Sequence, residues 1–378
     1  MNNPGSPSIK TVAVLGAGHG GCAAAVDLTA RGFDVHLHAR RKERVEQLNR
    51  AGGISGTGIQ NGLYPIAMIT DDVSKAIAGV DLIMLVVPSI AHEYYAAKLA
   101  PLLDGKIPIF LNPGHTGGGL HFVNELRRNG CSAAIRTCET VTLTYISRMK
   151  NDATVAIYSY TTNLGFASFP GKYRDELFEL AHAIYPEIVK ASSVLETGLS
   201  NINAIFHPPG MILNTGWIER TAGDFFFYKE GITDGVGSAT ESIDDERLLI
   251  AKAMDIPAKP FLDIFFDAGL TTEAARATGS ISTVCEESQP NSLLRSPPSL
   301  DHRYVHEDVG YGLVPFAAFG ILGQVKTPTI DAFIQLANVT TGNNYRQEGL
   351  TLQKMGLGGM SLDQVRGYIE NGPNGQVF

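Results

Sequence analysis

Two sets of residues in this chain have the types and spacing to do chemistry. The first is Gly16-Ala17-Gly18-His19-Gly20-Gly21, which follows the apolar run Val12-Ala13-Val14-Leu15 and leads into the helix-forming Cys22-Ala23-Ala24-Ala25-Val26. Such a turn between buried strand and helix can cradle a pyrophosphate. Gly16 permits the tight turn, Gly18 lets the backbone approach the anion, and Gly21 lets helix and strand pack closely. The second set lies in the C-terminal half, where polar groups in apolar settings are few: His207 in NAIFHPPG, and His302, Arg303, His306, Glu307 and Asp308 in DHRYVHEDVG. Histidine suits proton transfer near neutral pH, and a carboxylate partner would fix its tautomer. An arginine nearby could grip a substrate carboxylate through two parallel hydrogen bonds. A histidine between an apolar helix and a proline stop is more often structural, and spacing alone does not pair His207 with a residue a hundred positions away. His302 and His306 could also share a metal on a helix, but a chain with its own bound dinucleotide needs none, and no metal is expected.

These residues need elements to position them. A strand over 34–39 closes a βαβ unit and ends in His38-Ala39-Arg40-Arg41-Lys42, without a carboxylate. NAD-binding units usually place an acid there for the ribose 2′-hydroxyl, whereas Arg40 and Arg41 offer planar forks for a 2′-phosphate. The alternative is a solvated basic first turn of the helix over 41–51. The helix dipole disfavours cations at that end unless an anion joins them. NADP is therefore expected over NAD. Residues 54–70 suggest a hairpin or irregular strands, and Asp71-Asp72 can cap a short helix through 78. A buried strand over 81–88 stops at proline, and since ligands lie beyond the carboxyl ends of such strands, Val87 and Pro88 should face the cofactor. His92 fits a polar helix start.

A strand over 107–111 precedes a second glycine-rich loop, Asn112-Pro113-Gly114-His115-Thr116-Gly117-Gly118-Gly119, whose Asn112 and Thr116 could contact ribose or nicotinamide. Strands over 134–140 and 153–160, a helix over 174–184 and a strand at 187–189 complete a doubly wound, Rossmann-like α/β domain, assigned to residues 1–192. Helical periodicity at 201–214, 241–254 and 329–336 then replaces strand alternation, so an all-helical domain is expected over 193–378. Substrate is expected in the cleft between the two.

The 378 residues suffice for two cores, and 44% hydrophobic with 18% charged residues is ordinary for a soluble protein. A net charge of -8 argues against a nucleic-acid partner. Cys22, Cys131, Cys138 and Cys285 lack metal-site spacing, and a reduced, cytoplasmic location is expected. Residues 1–10 lack a signal-like apolar core and suggest a short flexible tail, and no apolar run approaches membrane-spanning length. The apolar stretch 313–322 could be core or interface, and a homodimer is expected.

Nearly end to end, the motifs resemble those of the opine dehydrogenases. They are AVLGAGHGG, Val86-Val87-Pro88, LNPGHTGGGLHF at 111–122, Glu139-Thr140 and NINAIFHPPGMILN at 201–214. Tyr228-Lys229-Glu230-Gly231-Ile232-Thr233, Val236-Gly237, Asp244-Asp245-Glu246-Arg247, RYVHEDVGYGLVP at 303–315 and the tail glycines over 349–359 continue the likeness. The resemblance implies an enzyme that joins the amino group of an amino acid to a 2-oxo acid, often pyruvate, and reduces the imine with NAD(P)H to an N-(1-carboxyalkyl) amino acid. It implies His207 as the acid/base group and Asp308 as its orienting carboxylate, which would favour imidazolium. It further implies Arg303 as holder of the oxo-acid carboxylate, with Thr140 also at the substrate. Ala39 replaces an acid of the bacterial relatives, and the double proline after His207 departs from them, so no amino-acid preference carries over. Two rival functions share this layout: reduction of a 2-oxo acid or alcohol without an amine, and a non-catalytic NADP-binding sensor. The presence of His207, Arg303 and Asp308 speaks against the sensor.

Overall fold

Strand β1 (Thr11–Leu15) is apolar and, from Val12 on, fully buried, as a strand covered on both faces must be. In the computed structural model, which describes residues 9–373, the remaining strands are β2 (Asp34–His38), β3 (Ile54–Gly58), β4 (Gly62–Tyr64), β5 (Met68–Thr70), β6 (Leu82–Leu85), β7 (Ile109–Leu111), β8 (Thr137–Thr140), β9 (Tyr145–Asn151), β10 (Thr154–Tyr160), β11 (Leu164–Phe169) and β12 (Ile188–Lys190). Residues 1–8, most of the expected tail, lie outside the described residues. The main sheet has the order β12-β11-β8-β7-β6-β1-β2-β5. β1 pairs in parallel with both β2 and β6, so the strand order reverses there. Gly16 after β1 and Val86–Pro88 after β6 thus stand at the switch point, where open α/β sheets bind ligands.

The region after β7 differs from its expected form. The sheet is mixed, because β11 runs antiparallel to β8 and β12 follows β11. Of the two strands expected over 134–160, only β8 joins the main sheet. β10 pairs with the unforeseen β9 as an antiparallel hairpin and with β3 in parallel, forming a separate sheet of order β4-β3-β10-β9. The turn at Asp152-Ala153 is too short for a crossover, so β9 and β10 can only pair antiparallel. The helix His19–Ala30 carries fully buried Asp27, which accepts hydrogen bonds from Tyr145 Oη (2.9 Å), Tyr160 Oη (2.5 Å) and Gln60 Nε2 (3.1 Å) and pairs with Arg31 at 3.3 Å. Those donors make the buried carboxylate tolerable and tie the second sheet to the glycine-loop helix.

The chain divides into two units: one of residues up to Gly114, Gly118–Val194 and from Gly367 on, the other of His115–Gly117 and Leu195–Arg366. The break within the second glycine-rich loop, and the return of the last helical turns to the first unit, have no compositional mark. The second unit is helical. The helix Asn203–Ile212 contains Pro208 and Pro209 rather than stopping at them. Every residue from Ala204 to Ile212 is buried, and that packing outweighs the ~3 kcal/mol cost of an interior proline. The acidic motif in helix Asp234–Ala253 is bracing: Arg247, fully buried, bonds Asp244 Oδ1 (2.6 Å) and the carbonyls of Leu199 and Lys259, while Glu246 accepts the Thr329 and Ile330 N–H groups. Leu313, Val314, Phe316, Ala317 and Phe319 are core, and Ile321 is 75% exposed. All four cysteines are free and buried. No helix of the described residues is long and apolar enough to cross a membrane.

Candidate active site

The first unit holds the dinucleotide cradle. Gly16 has φ +117°, and a Cβ there would lie 2.3 Å from the Val86 carbonyl oxygen and 2.6 Å from Val87 Cγ1. A Cβ on Gly21 would lie 1.7 Å from the Gly16 oxygen. Both positions therefore require glycine for the fold itself. Gly18 is different: it is exposed, and a Cβ there meets nothing within 4 Å, so that side of the turn is open. The helix His19–Ala30 begins without a side-chain cap or an acid in its first turn, which leaves its N–H groups for an anion. His19 is exposed, and Gly20 packs under Leu143. These features fit a bound dinucleotide.

Arg40 and Arg41 are exposed just beyond β2, with the Arg40 guanidinium 5.6 Å from the Tyr94 ring centre, and Ala39 is buried. Arg44, not singled out from sequence, donates from Nε to the Ala17 carbonyl (3.3 Å) and also bonds the Asp152 carbonyl, fixing a cation beside the loop. Pro88 is exposed and Val87 half-buried.

The second glycine-rich loop serves packing more than ligand contact. Asn112 is fully buried, with Nδ2 donating to Thr144 Oγ1 (2.9 Å) and Oδ1 accepting the Thr144 N–H (3.1 Å). Its side-chain amide is thereby engaged by Thr144. Thr116, now in the second unit, donates to the Gly198 carbonyl and accepts from Asn201 Nδ2, each at 3.1 Å. The glycines make room for buried Glu139, which a Cβ on Gly114 or Gly119 would meet at 2.5 or 2.7 Å. Thr140, at the end of β8, is fully buried with Oγ1 lacking a hydrogen-bond partner.

In the second unit the distant polar groups converge. His207 Nδ1 is hydrogen-bonded to Asp308 Oδ2 at 2.7 Å, and His207 Nε2 to the Tyr228 hydroxyl at 3.2 Å. Tyr304 stacks on the imidazole with centroids 3.5 Å apart and planes 13° from parallel. Small residues allow this convergence. A Cβ on Gly312 would lie 2.5 Å from Ala204 Cβ, and one on Gly210 2.6 Å from Phe227 Cζ. The helix Arg303–Asp308 passes into a π turn over Val309–Leu313, a distortion that often accompanies functional sites. Glu307, buried beside Asp308, receives Arg303 Nη2 at 2.8 Å and lies 3.4 Å from His115 Nε2. His115 is held at φ 56°, outside the usual backbone regions for a side-chain-bearing residue. His115, Tyr228, Tyr304 and the position of Glu307 were not legible from spacing, since three separated segments supply them.

Burial and the Glu307 carboxylate push the Asp308 carboxyl up, to about 8, while Arg303 and His115 pull against them. Asp308 therefore holds its proton more tightly than an ordinary carboxyl. Arg303 is half-exposed, and its desolvation is outweighed by the neighbouring Glu307 and Asp308 carboxylates, which raise its pKa. Burial lowers His115, and lowers His302 to about 4. His302 accepts the Tyr304 N–H, and His306 bonds Tyr345 and Asp301, so each has its own commitment. Among the described residues, Glu93, His121 and Glu125 bring three potential ligand atoms within 4.8 Å in the first unit, where Arg128 already pairs with Glu125 at 2.7 Å.

A cradle at the switch point of one unit and an arginine–histidine–carboxylate cluster in the other define an NAD(P)-dependent dehydrogenase. Residues 190–341 match the NAD/NADP octopine/nopaline dehydrogenase, alpha-helical domain, and residues 12–114 the ketopantoate reductase PanE/ApbA family. The chain is 34% identical to an opine dehydrogenase of Arthrobacter sp. (strain 1C), over 96% of this chain and 99% of the relative. It is 25% identical to the D-nopaline dehydrogenase of Agrobacterium vitis, over 89% and 87% of the two chains. Octopine dehydrogenase solved with NADH and agmatine shares the fold, with a TM-score of 0.76, 21% identity and coverage of 94% and 97%. Yersinopine dehydrogenase with NADP+ does so with a TM-score of 0.70, 16% identity and coverage of 97% and 98%. The chain belongs to the opine dehydrogenase family, NAD(P)-dependent oxidoreductases that act on CH–NH donors.

Proposed function

We propose that this enzyme condenses the amine of an amino acid with a 2-oxo acid such as pyruvate and reduces the imine to an N-(1-carboxyalkyl) amino acid. The observation that carries this is the buried His207–Asp308 pair at 2.7 Å, on whose helix Arg303 also stands. His207 takes a proton from the incoming ammonium and returns one as the hydroxyl of the adduct leaves as water. Asp308 holds the imidazole tautomer. Arg303, braced by Glu307, grips the oxo-acid carboxylate, and the unpaired Thr140 hydroxyl offers a further substrate contact. When bound, the nicotinamide supplies the hydride. Octopine dehydrogenase has been solved with pyruvate and with L-arginine, which supports this pair of substrate classes.

The first unit holds the dinucleotide through Gly16, Ala17, Gly18, His19, Gly20 and Gly21, with Val87 and Pro88 beside the turn. Exposed Arg40 and Arg41 in place of an acid favour NADP over NAD. Two copies pair in solution; exposed Ile321 (75%) and Val339 (70%) of the second unit support that assembly. The test is loss of NADPH absorbance with pyruvate and a pooled set of amino acids, with NADH in parallel. Oxidation requiring both substrates, faster with NADPH, is the expected result, and His207→Ala should lower it ~1,000-fold while cofactor still binds. Oxidation with pyruvate alone would replace this function by hydroxy-acid formation, and near-normal turnover of His207→Ala would remove its acid/base role.

A further inference from the structure

An imidazole has two nitrogens, and in His207 both are occupied, Nδ1 by Asp308 and Nε2 by the Tyr228 hydroxyl. Tyr304 covers the ring at 3.5 Å, and Phe206 and Phe227 stand at 4.3 and 5.9 Å. His207 is only 4% exposed. The Tyr228 oxygen is thus within hydrogen-bond reach of Nε2 and can exchange a proton with it.

Tyr228 is itself held firmly. Phe227 N–H donates to the Leu294 carbonyl at 2.9 Å, and the Phe226 N–H donates to Glu230 Oε2 at 2.6 Å. Gly231 closes the turn, where a Cβ would lie 2.5 Å from the Phe227 carbonyl oxygen. The hydroxyl is thus presented to Nε2 by a braced segment rather than by a free side chain.

We propose that Tyr228 relays protons between His207 and the reacting substrate, an inference that rests on His207 being the acid/base group. As amine is released for attack, the ammonium gives a proton to the Tyr228 oxygen while the Tyr228 hydroxyl gives its own to Nε2. Attack joins the nitrogen to the carbonyl carbon, and one N–H proton passes to the resulting oxyanion to form the hydroxyl adduct. As its C–O bond breaks, the leaving hydroxyl takes the Tyr228 proton and departs as water, and the phenol is refilled from Nε2–H. His207 ends neutral, Tyr228 is unchanged, and the substrates have lost one water. The hydride step needs no proton from Tyr228.

The experiment is single-turnover NADPH oxidation with pyruvate and the amine that supports turnover, in mixtures of H2O and D2O, for the natural protein, Tyr228→Phe and His207→Gln. The expected natural enzyme gives a bowed proton inventory, two protons moving in one step. Tyr228→Phe should be ~100-fold slower, with unchanged Tm, unchanged NADPH affinity and an inventory turned linear. A purely structural Tyr228 would instead lower Tm and raise KM with the inventory unaltered. Tyr228→Phe within threefold of the natural rate, or a linear inventory in the natural enzyme, overturns the relay. The second result holds even if the Phe variant fails to fold. If His207→Gln keeps its rate, the acid/base assignment has failed instead; if it is inactive while Tyr228→Phe is not, only the relay has.

Discussion

The glycine cradle and the His207 cluster are built in opposite ways. The cradle is one continuous stretch whose working groups are backbone N–H groups, and its requirement is space. The cluster draws on residues 115, 207, 228 and 303–308, and its working groups are side chains, most of them buried and Arg303 half-exposed, that must satisfy one another. A site made of backbone tolerates side-chain change wherever no atom is near. A site made of buried polar groups loses its chemistry when any one of them changes.

The widest break in that contrast should come within the cradle. Gly21→Ala drives a Cβ to 1.7 Å from the Gly16 oxygen and should destabilise the first unit by more than ~3 kcal/mol. Gly18→Ala has no protein neighbour within 4 Å, so its Tm should stay within about 2 °C while NADPH affinity falls ~10-fold. Thermal unfolding and cofactor titration check both. Equal loss of Tm in the two variants would mean that the open space at Gly18 is not reserved for ligand.

In the cluster, Arg303→Lys keeps the charge but loses the fork that Glu307 holds at 2.8 Å. KM for the oxo acid should rise ~10–100-fold, with KM for the amine within about twofold and NADPH binding unchanged. A rise confined to the amine would reverse which substrate Arg303 holds.

The smallest effect concerns pH and stability. Burial holds His302 neutral down to about 4 and lowers His115, whereas both titrate near 6.5 when unfolded. As pH falls from 6.5 the unfolded chain takes up protons that the fold refuses, so Tm should decline toward pH 4. Asp308 works the other way. Its carboxyl is raised from 3.8 to about 8, so the folded carboxyl keeps a proton that the unfolded one releases, and its contribution fades as pH rises through that window. His302→Gln should flatten the acid slope and Asp308→Asn the alkaline one. A variant that leaves its slope unchanged would show that the group is solvated in the fold.

Much of the first unit was legible because its signals are local. Apolar β1, the glycine turn and the basic end of β2 sit within thirty-four consecutive residues, 11–44, and each has a backbone reason. The second sheet was not, because β9 and β10 carry the same alternation whichever sheet receives them. The setting of Asn112 was not legible for a related reason: nothing local shows that Thr144, thirty-two positions on, bonds both ends of its amide.

By itself the sequence determined the cradle, its lack of an acid after β2, the α/β-then-helical order, and through family likeness the identities of His207, Arg303 and Asp308. The likeness also implied that His207 pairs with Asp308; only the tertiary structure decided that Tyr228 joins them, that Glu307 braces Arg303, and that two prolines lie inside a helix. Backbone geometry is set by neighbours in the chain, which spacing records. Side-chain pairing across a hundred residues is set by which buried groups must neutralise one another, and that is fixed only when the core closes.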